Sequence, residues 1–312
     1  MRARAATDLT TRLGPIELPN PIIAASGTFG YGAELARLCP PSELGAVTIK
    51  SLAPFAWEGN PPLRTTEAPG GGMLNSVGLT GPGIAAWADH ELPALLDAGA
   101  RVIASLWGRT LDDFTRGAQM FASHASDLVA LEVNLSCPNL EAGRHMFAVD
   151  ADATRAVVGA VAAQVAPLPV FAKLTAAVTD LVAIACEALD AGALGLTLIN
   201  TLPGLAIDAE RHRPVLGAGA GGLSGPPIKP IALRVVSECA VAIPEVPIIG
   251  TGGVATGEDA VEMMLAGAHA VGVGTATFAE PRATVRVRDE LARWCRRHEI
   301  RVVTDLVAQM EV

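Results

Sequence analysis

The stretch PIIGTGGVATGEDAVEMMLAGAHAVGVGTA, residues 247–276, decides the fold. Its apolar runs 247–250 and 270–273 are short, bounded by glycine, and typical of buried strands. The segment between them, near 257–267, begins with a threonine followed by two acidic residues, which predicts the start of a helix. Two strands joined by a helix make a βαβ unit, the element from which α/β folds with parallel strands are built.

The same alternation runs through the chain and gives eight βα units. The candidate strands are 22–25, 46–49, 102–106, 128–133, 170–173, 195–199, 247–250 and 270–273. The candidate helices lie near 31–38, 83–98, 111–124, 151–165, 179–191, 227–242, 257–267 and 282–297. Eight units without a linker predict an α/β fold in which residues 1–312 form one domain, a (β/α)8 TIM barrel with active-site insertions; a doubly wound sheet is the alternative. TRLGPIELPN, 11–20, predicts an N-terminal hairpin around Gly14 and Pro15, across the barrel bottom.

The composition favours a protein that binds small molecules. The chain has 312 residues, is half apolar, and carries a net charge of -9, which argues against a nucleic-acid surface. Its five cysteines are scattered without CxxC spacing, so neither a disulfide framework nor a metal site is expected. No apolar run resembles a signal peptide or is long enough to span a membrane. We therefore expect a cytoplasmic protein.

Polar residues follow the predicted strands, and in a barrel they would converge on the mouth at the C-terminal strand ends. A lysine that ends an apolar strand is seldom filler, because burying an unpaired ammonium is costly. These residues are Ser26, Thr28, Lys50, Ser51, Asn134, Cys137, Lys173, Asn200 and Thr201.

The run NLSCPN, 134–139, places a thiol between two carboxamides where a strand ends. Pro138 has no N–H for a sheet ladder, so the strand stops and Cys137 begins a loop. A cysteine there can act as a base or nucleophile, while asparagines offer donors and acceptors to a planar ligand. For the hexapeptide alone, a buried structural cysteine beside a turn is the alternative.

The last two strands end in glycine motifs that predict a phosphate site. Gly252 and Gly253 follow strand seven, and Gly274 and Thr275 follow strand eight, which are the loops that recurrently bind phosphate in this fold. Neither motif contains a basic residue, so backbone dipoles would hold the anion. Glycines used only for tight turns are the alternative, and the loop 203–226 could add further backbone donors.

Together these motifs resemble the dihydroorotate dehydrogenases, in order from 26 to 281. The similarity is greatest to the catalytic subunit of the NAD-linked class 1B enzymes, and class 1A is a closer alternative than class 2. Class 2 enzymes have a serine base and an N-terminal membrane extension, whereas this sequence has Cys137 at the position of the base. The motifs are SGTFG (26–30), TIKS (48–51), NSVGL (75–79), NLSCPN (134–139), AKLT (172–175), LTLINTLPGLAID (196–208), RPVLGAGAGGLSGPPIKPIALR (213–234), IIGTGG (248–253) and VGVGTA (271–276).

The resemblance implies that FMN lies across the mouth and that no metal is bound. Cys137 would take a proton from dihydroorotate while hydride passes to the flavin, and Lys173 would stabilise the charge of the reduced ring. The implied cofactor-binding residues are Ser26, Lys50, Ser51, Ser105, Asn134, Lys173, Ile199, Gly225, Gly252, Gly253, Gly274 and Thr275. The implied substrate-binding residues are Lys50, Asn75, Ser76, Val77, Gly78, Leu79, Asn134, Asn139, Asn200 and Thr201.

The implied partners are dihydroorotate and orotate, a second copy of the chain in a homodimer, and an electron-transfer subunit carrying FAD and a [2Fe–2S] cluster in a heterotetramer. Some residues depart from the family pattern: Ser105, Thr80, Gly81, Ala176 and Ala177. These departures affect contacts with the flavin and its edge. His145 is interpreted as a solvated loop residue. A flavin-free phosphate-binding barrel lyase or isomerase and a non-catalytic assembly subunit are the alternatives from other classes.

Overall fold

The computed structural model describes residues 7–136 and 146–310. Within those residues it forms sixteen β-strands, most of them short. They are β1 (Thr11–Leu13), β2 (Ile16–Leu18), β3 (Ile22–Ala24), β4 (Ala46–Thr48), β5 (Thr65–Ala68), β6 (Gly72–Asn75), β7 (Val102–Leu106), β8 (Ala130–Asn134), β9 (Val170–Leu174), β10 (Gly195–Leu198), β11 (Leu202–Gly204), β12 (Ile207–Asp208), β13 (Arg213–Pro214), β14 (Gly221–Ser224), β15 (Ile248–Thr251) and β16 (Ala270–Val273).

The same residues form nine α-helices. Among them there is none with the length and apolar character needed to cross a bilayer. They are α1 (Ile84–His90), α2 (Leu92–Asp97), α3 (Leu111–Ala122), α4 (Ala151–Val165), α5 (Leu181–Asp190), α6 (Lys229–Ala242), α7 (Gly257–Leu265), α8 (Ala276–Ala279) and α9 (Ala283–Arg297).

Eight parallel strands close into a barrel in the order β3, β4, β7, β8, β9, β10, β15 and β16. Each coincides with one of the eight predicted strands to within two residues. The strands are buried on both faces, because helices cover the outside and side chains fill the interior, and this explains their nearly continuous apolar sequences. The predicted (β/α)8 TIM barrel is confirmed, whereas the extent of the domain over all of 1–312 stays a prediction.

Two predicted helices differ from the structure. The prediction of a helix over 31–38 is wrong, because this segment forms turns. The Glu34 carboxylate accepts the backbone N–H groups of Tyr31 (3.1 Å) and Gly32 (2.8 Å), which replaces the start of a helical ladder. The predicted helix over 83–98 is two helices, α1 and α2. Pro93, in the first turn of α2, has no N–H to continue the first ladder.

The predicted N-terminal hairpin is confirmed and closes the barrel bottom. Strands β1 and β2 pair antiparallel on either side of the turn at Gly14 and Pro15. Leu13 and Leu18 are buried in an apolar cluster with the first inward-facing residue of most barrel strands, including Phe171. This end of the barrel is therefore dry and leaves the opposite end for polar ligands.

The barrel interior becomes polar two residues further along the strands. Alternate residues of a strand face the same side. The residue two positions after each apolar bottom residue therefore also points into the barrel. The buried inward residues at this level are Thr48, Ser105, Glu132, Lys173, Thr197 and Thr251. These residues form the floor of the mouth.

Two insertions form a sheet at the mouth, as expected for insertions that carry an active site. Strands β5 and β6 follow β4, and β11 and β14 follow β10, yet the four pair antiparallel in the order β11, β14, β6, β5. The register places Asn75 opposite Gly222. Segments about half the chain apart thus meet beside the C-terminal ends of the barrel strands.

Candidate active site

Three residues of the floor, Lys173, Glu132 and Ser105, form a connected polar network with Ser51 and Ser26. Lys173 Nζ lies 3.3 Å from Glu132 Oε1, and the Ser105 hydroxyl donates to the same oxygen at 3.2 Å. Ser51 Oγ lies 2.9 Å from Ser105 Oγ and 3.4 Å from Ser26 Oγ. Buried polar groups of this kind are stable only when they satisfy one another, so the network fixes the rotamers of its members.

Asn134, which ends β8, and Asn200, which follows β10, extend this network toward the mouth. The Asn134 amide nitrogen donates to Ser51 Oγ at 3.2 Å, and the Asn200 amide nitrogen donates to Asn134 Oδ1 at 3.1 Å. Asn200 Oδ1 in turn accepts the backbone N–H of Thr201 at 2.8 Å. The predicted site residues Ser26, Ser51, Ser105, Asn134, Lys173, Asn200 and Thr201 are therefore brought together.

Lys50 follows β4 and lies beside the same floor. A Cβ added to Gly27, which has a φ of +86°, would stand 3.7 Å from Lys50 Nζ. Burial and the neighbouring Lys173 ammonium lower the pKa of Lys50 to about 8. Because burial and a like charge destabilise this ammonium, a bound anion would stabilise it, which suits a carboxylate contact.

The chain contains three lysines and twenty arginines. The third lysine, Lys229, begins α6, and its ammonium lies 2.6 Å from Asp259 Oδ1 and 2.7 Å from Glu262 Oε2. All three lysines therefore lie at the C-terminal face of the barrel. Lys229 is engaged by carboxylates, which leaves Lys173 on the floor and Lys50 beside it as the lysines near the network.

The predicted substrate loop 75–79 has a left-handed backbone held from outside. Gly78 has a φ of +77° and Leu79 a φ of +60°, which is uncommon for a residue with a side chain. Trp57 Nε1 donates to the Gly78 carbonyl at 3.1 Å, and the Asn60 N–H donates to the Val77 carbonyl at 3.1 Å. The loop conformation thus depends on residues that lie outside the motif.

Trp57 itself is fixed by an aromatic cluster. The rings of Phe55, Trp57 and Trp107 meet edge to face with centroids about 6 Å apart. The Arg109 guanidinium lies 4.1 Å from the centroid of Phe55 and contacts Asp113 at 3.1 Å. This cluster therefore holds the ring whose N–H donates to the Gly78 carbonyl of the substrate loop.

Two further features mark this loop. One is a hydroxyl without a hydrogen-bond partner among the described residues, and the other is a hydrogen bond to the second insertion. Ser76 Oγ is buried and has no hydrogen-bond partner in the described part of the chain. The Asn75 amide nitrogen donates to the Gly222 carbonyl at 3.2 Å. A Cβ on Gly222 would lie 2.1 Å from Thr201 Oγ1 and 3.5 Å from Asn75 Nδ2, so glycine lets these two polar side chains approach.

Two pairs of the predicted cofactor-binding residues lie side by side, Gly225 with Thr275 and Gly252 with Ile199. A Cβ on Gly225 would stand 3.4 Å from Thr275 Cγ2, and one on Gly252 would stand 3.5 Å from Ile199 Cγ1. Gly252, Gly253 and Gly225 all have positive φ. Gly274 differs, because a Cβ there would meet only side-chain carbons at 3.6 Å or more, which are ordinary contacts.

The departures from the family pattern have structural roles here. Ser105 joins the floor network. Thr80 and Gly81 act through their backbones: the Thr80 carbonyl accepts from the Tyr31 hydroxyl, and Gly81 exchanges backbone hydrogen bonds with Trp57. A Cβ on Gly81 would lie 3.2 Å from the Tyr31 hydroxyl oxygen, so this position also favours glycine.

Three predicted residues, Cys137, Asn139 and His145, lie outside the described residues. Two further residues of the site were missed by the sequence analysis, Glu132 and Trp57. Glu132 had a signal, since it stands two residues before Asn134 in an apolar strand and so shares its inward face. Trp57 had none, because its contact with Gly78 depends on how two loops fold together.

The fold and the site define a (β/α)8 barrel with a polar, cationic floor and glycine-rich loops at its mouth. The family model described as "Dihydroorotate dehydrogenase" matches residues 8–294, and the chain belongs to this family. The recognition made from the sequence motifs is confirmed.

Individual relatives match nearly end to end. "Dihydroorotate dehydrogenase B (NAD(+)), catalytic subunit" of Alkaliphilus metalliredigens is 43% identical over 299 residues, 96% of this chain and 97% of the relative. The protein of the same name from Geobacter sp. (strain M21) is 43% identical over 305 residues, 98% of this chain and 99% of the relative. "Putative dihydroorotate dehydrogenase A (fumarate)" of Solibacter usitatus is 45% identical over 303 residues, 97% of this chain and 98% of the relative.

Proposed function

We propose that this chain oxidises dihydroorotate to orotate in pyrimidine synthesis, with FMN as its bound cofactor. The observation that carries the proposal is the convergence of Lys50, Lys173 and Asn134 on one barrel mouth in a member of the dihydroorotate dehydrogenase family. A flavin-free lyase would need the glycine loops but not this floor of lysines, asparagines and serines.

The residues present fit a phosphate-bearing flavin. A Cβ on Gly225 would stand 3.4 Å from Thr275 Cγ2, and Lys229, a basic residue beside Gly253, is already paired with carboxylates. Backbone dipoles would therefore bind the phosphate. The residues proposed to hold the cofactor are Ser26, Lys50, Ser51, Ser105, Asn134, Lys173, Ile199, Gly225, Gly252, Gly253, Gly274 and Thr275.

The substrate would lie between this floor and the loop 75–79. The Lys50 ammonium suits the carboxylate, and the asparagine amides can pair with the donors and acceptors of the pyrimidine ring. The unpartnered Ser76 hydroxyl supports a polar ligand at this position. The residues proposed to contact substrate are Lys50, Asn75, Ser76, Val77, Gly78, Leu79, Asn134, Asn139, Asn200 and Thr201.

When bound, FMN supplies the hydride acceptor, chemistry for which no side chain is suited. The chain supplies the base and the placement. We assign Cys137 to remove the proton from C5 of dihydroorotate, because a thiolate is a competent base near neutral pH. Lys173 would hold a positive charge where negative charge accumulates on the reduced cofactor, and the asparagines would orient the substrate ring through hydrogen bonds.

The proposed oxidant is NAD, reached through a separate subunit. Two of the relatives described above bear the name of an NAD-linked catalytic subunit, which supports a partner for this chain; by resemblance the partner would carry FAD and a [2Fe–2S] cluster in a heterotetramer built on a homodimer. The relative named as fumarate-linked keeps a class 1A acceptor as the second candidate. We further propose a cytoplasmic location.

Anaerobic mixing of the purified chain with dihydroorotate tests the proposal. A yellow protein that bleaches on mixing supports it, and a colourless protein or one that stays yellow contradicts it. Addition of NAD with the candidate partner, or of fumarate alone, then identifies the acceptor by the return of colour. A protein that binds flavin and does not bleach would be an assembly subunit.

A further inference from the structure

Glu132 is a buried carboxylate at the centre of the floor. Its side chain is 3% exposed and that of Lys173 is 8% exposed. Charged groups are rarely buried so completely unless they are paired, because removing an ion from water is costly. The cofactor and substrate contacts proposed above do not include Glu132, so the reason for its burial lies in its neighbours.

One oxygen of Glu132 joins two parts of the floor. Oε1 accepts from Lys173 Nζ at 3.3 Å and from Ser105 Oγ at 3.2 Å, and Ser105 continues to Ser51. Ser51 accepts in turn from Asn134. The carboxylate is thus the element through which the lysine is connected to the asparagine and serines of the site.

The charges around Lys173 show what the carboxylate opposes. Strand β8 presents Glu132, strand β10 presents the uncharged Thr197 opposite Lys173, and the Lys50 ammonium faces Lys173 from the end of β4. Of the charged groups described around Lys173, Glu132 is the acidic one. Without it, two ammonium groups would face each other in a poorly solvated floor, which favours loss of a proton.

We propose that Glu132 is a positioning residue that holds Lys173 charged and fixed in place at the proposed cofactor site. The inference rests on the proposed binding of FMN at this mouth. Lys173 raises the reduction potential of the flavin by stabilising the negative charge on the reduced ring, and Glu132 preserves that effect by keeping the ammonium protonated. A carboxylate that acted only through its own negative charge would instead lower the reduction potential of the flavin.

The sign of one measurement separates these two roles. Glu132→Gln keeps the size of the side chain and an oxygen that can accept from Lys173, but it removes the charge. The midpoint potential of bound FMN should fall in this variant, toward the value in Lys173→Met. A potential that rises or stays unchanged in Glu132→Gln overturns the proposal.

Stability of the flavin-free protein gives an independent test. Each single change leaves a buried charge without its partner, which is strongly destabilising, whereas Glu132→Gln combined with Lys173→Met removes both charges. The double variant should therefore be more stable than Lys173→Met alone, even if Glu132→Gln alone fails to fold. If the loss of stability in the double variant equals the sum of the losses in the two single variants, Glu132 and Lys173 do not act as a pair, whether or not flavin binds. Glu187→Gln, which removes a carboxylate paired with Arg155 on the outer helices, is the matched control and should leave the potential unchanged.

Failure of the proposed function is distinguishable from failure of this inference. If the wild-type chain binds no FMN, the proposed function is wrong, and the stability cycle still decides whether Glu132 and Lys173 act as a pair. If the wild type binds FMN and bleaches with dihydroorotate while Glu132→Gln keeps the wild-type potential, the function stands and the positioning role is lost.

Discussion

Lys50 should make orotate binding depend on pH in a defined way. Burial and the Lys173 ammonium destabilise its charged form, so the pKa of Lys50 is about 8 before ligand binds. If the protonated form binds the carboxylate, about nine-tenths of the sites are competent at pH 7 and about one-tenth at pH 9. The orotate dissociation constant should be nearly constant below pH 7 and rise toward tenfold per pH unit above pH 8.

Replacement of Lys50 by glutamine should remove this pH dependence. A charge-assisted hydrogen bond contributes roughly 1.5 to 3 kcal/mol, so the variant should bind orotate about ten- to a hundredfold more weakly at pH 7. The two proteins should converge as the pH rises and the wild type loses its proton. Titration of orotate into flavin-loaded protein, followed by flavin absorbance, measures both curves. Arg234→Gln removes a cation from the outer face of α6 and serves as the control.

A second readout comes from stability in the absence of ligand. The folded-state pKa of Lys50, about 8, lies below its usual value of 10.5, so the unfolded chain binds the extra proton more readily between these values. The ammonium therefore destabilises the folded protein below pH 8, by at most about 3 kcal/mol, and this penalty disappears as the pH rises through 10.5. Lys50→Met should raise the melting temperature at pH 7 and have less effect near pH 10. Unchanged orotate affinity together with unchanged stability would remove Lys50 from the site and refute the reasoning.

Further substitutions test the base, the phosphate site and the substrate loop. Cys137→Ala should retain FMN but lose rapid flavin reduction by dihydroorotate, whereas wild-type reduction should accelerate with pH as the thiolate forms; equal rates in stopped-flow would exclude Cys137 as the base. Gly274→Val should fold but bind no yellow flavin, because the new side chain has room in the protein but not beside a phosphate. The control is Gly267→Val, which lies away from the mouth at a φ of +121°. It should lower stability and keep the flavin-to-protein ratio. Trp57→Phe keeps the aromatic packing and loses the donor to Gly78, so orotate should bind about fivefold more weakly at full FMN content; undiminished affinity would mean that the loop holds its shape alone.

The barrel strands could be predicted because each is a short apolar run that ends in polar or glycine residues, a pattern set by burial on both faces. The prediction of a helix over 31–38 was wrong. The apolar spacing there does not indicate that the Glu34 carboxylate accepts hydrogen bonds from backbone N–H groups of its own segment. Local patterns of this kind report on periodicity and do not report on side chains that compete with the backbone for hydrogen bonds.

The candidate site was predicted where residues follow strands and missed where contacts are non-local. Asn75 and Gly222 meet only because two insertions pair in one sheet, a register that no local pattern encodes. Glycines that look equivalent in sequence also differ in the structure. A side chain on Gly253 would collide with the backbone of Lys229, so its substitution tests the fold as much as the phosphate site, whereas Gly274 tests the ligand alone.

The placement of the lysines makes amine chemistry selective for the mouth. Arginine carries almost all of the positive charge elsewhere, so side-chain amines are confined to Lys50, Lys173 and Lys229. Reagents that acylate or methylate amines react with the unprotonated form, and the lowered pKa of Lys50 should make it the first of the three to be modified near neutral pH. Reductive methylation with isotope-labelled formaldehyde would therefore place NMR reporters at the mouth with little background from the protein surface. The composition of the chain thus provides a spectroscopic label for the site without any introduced residue.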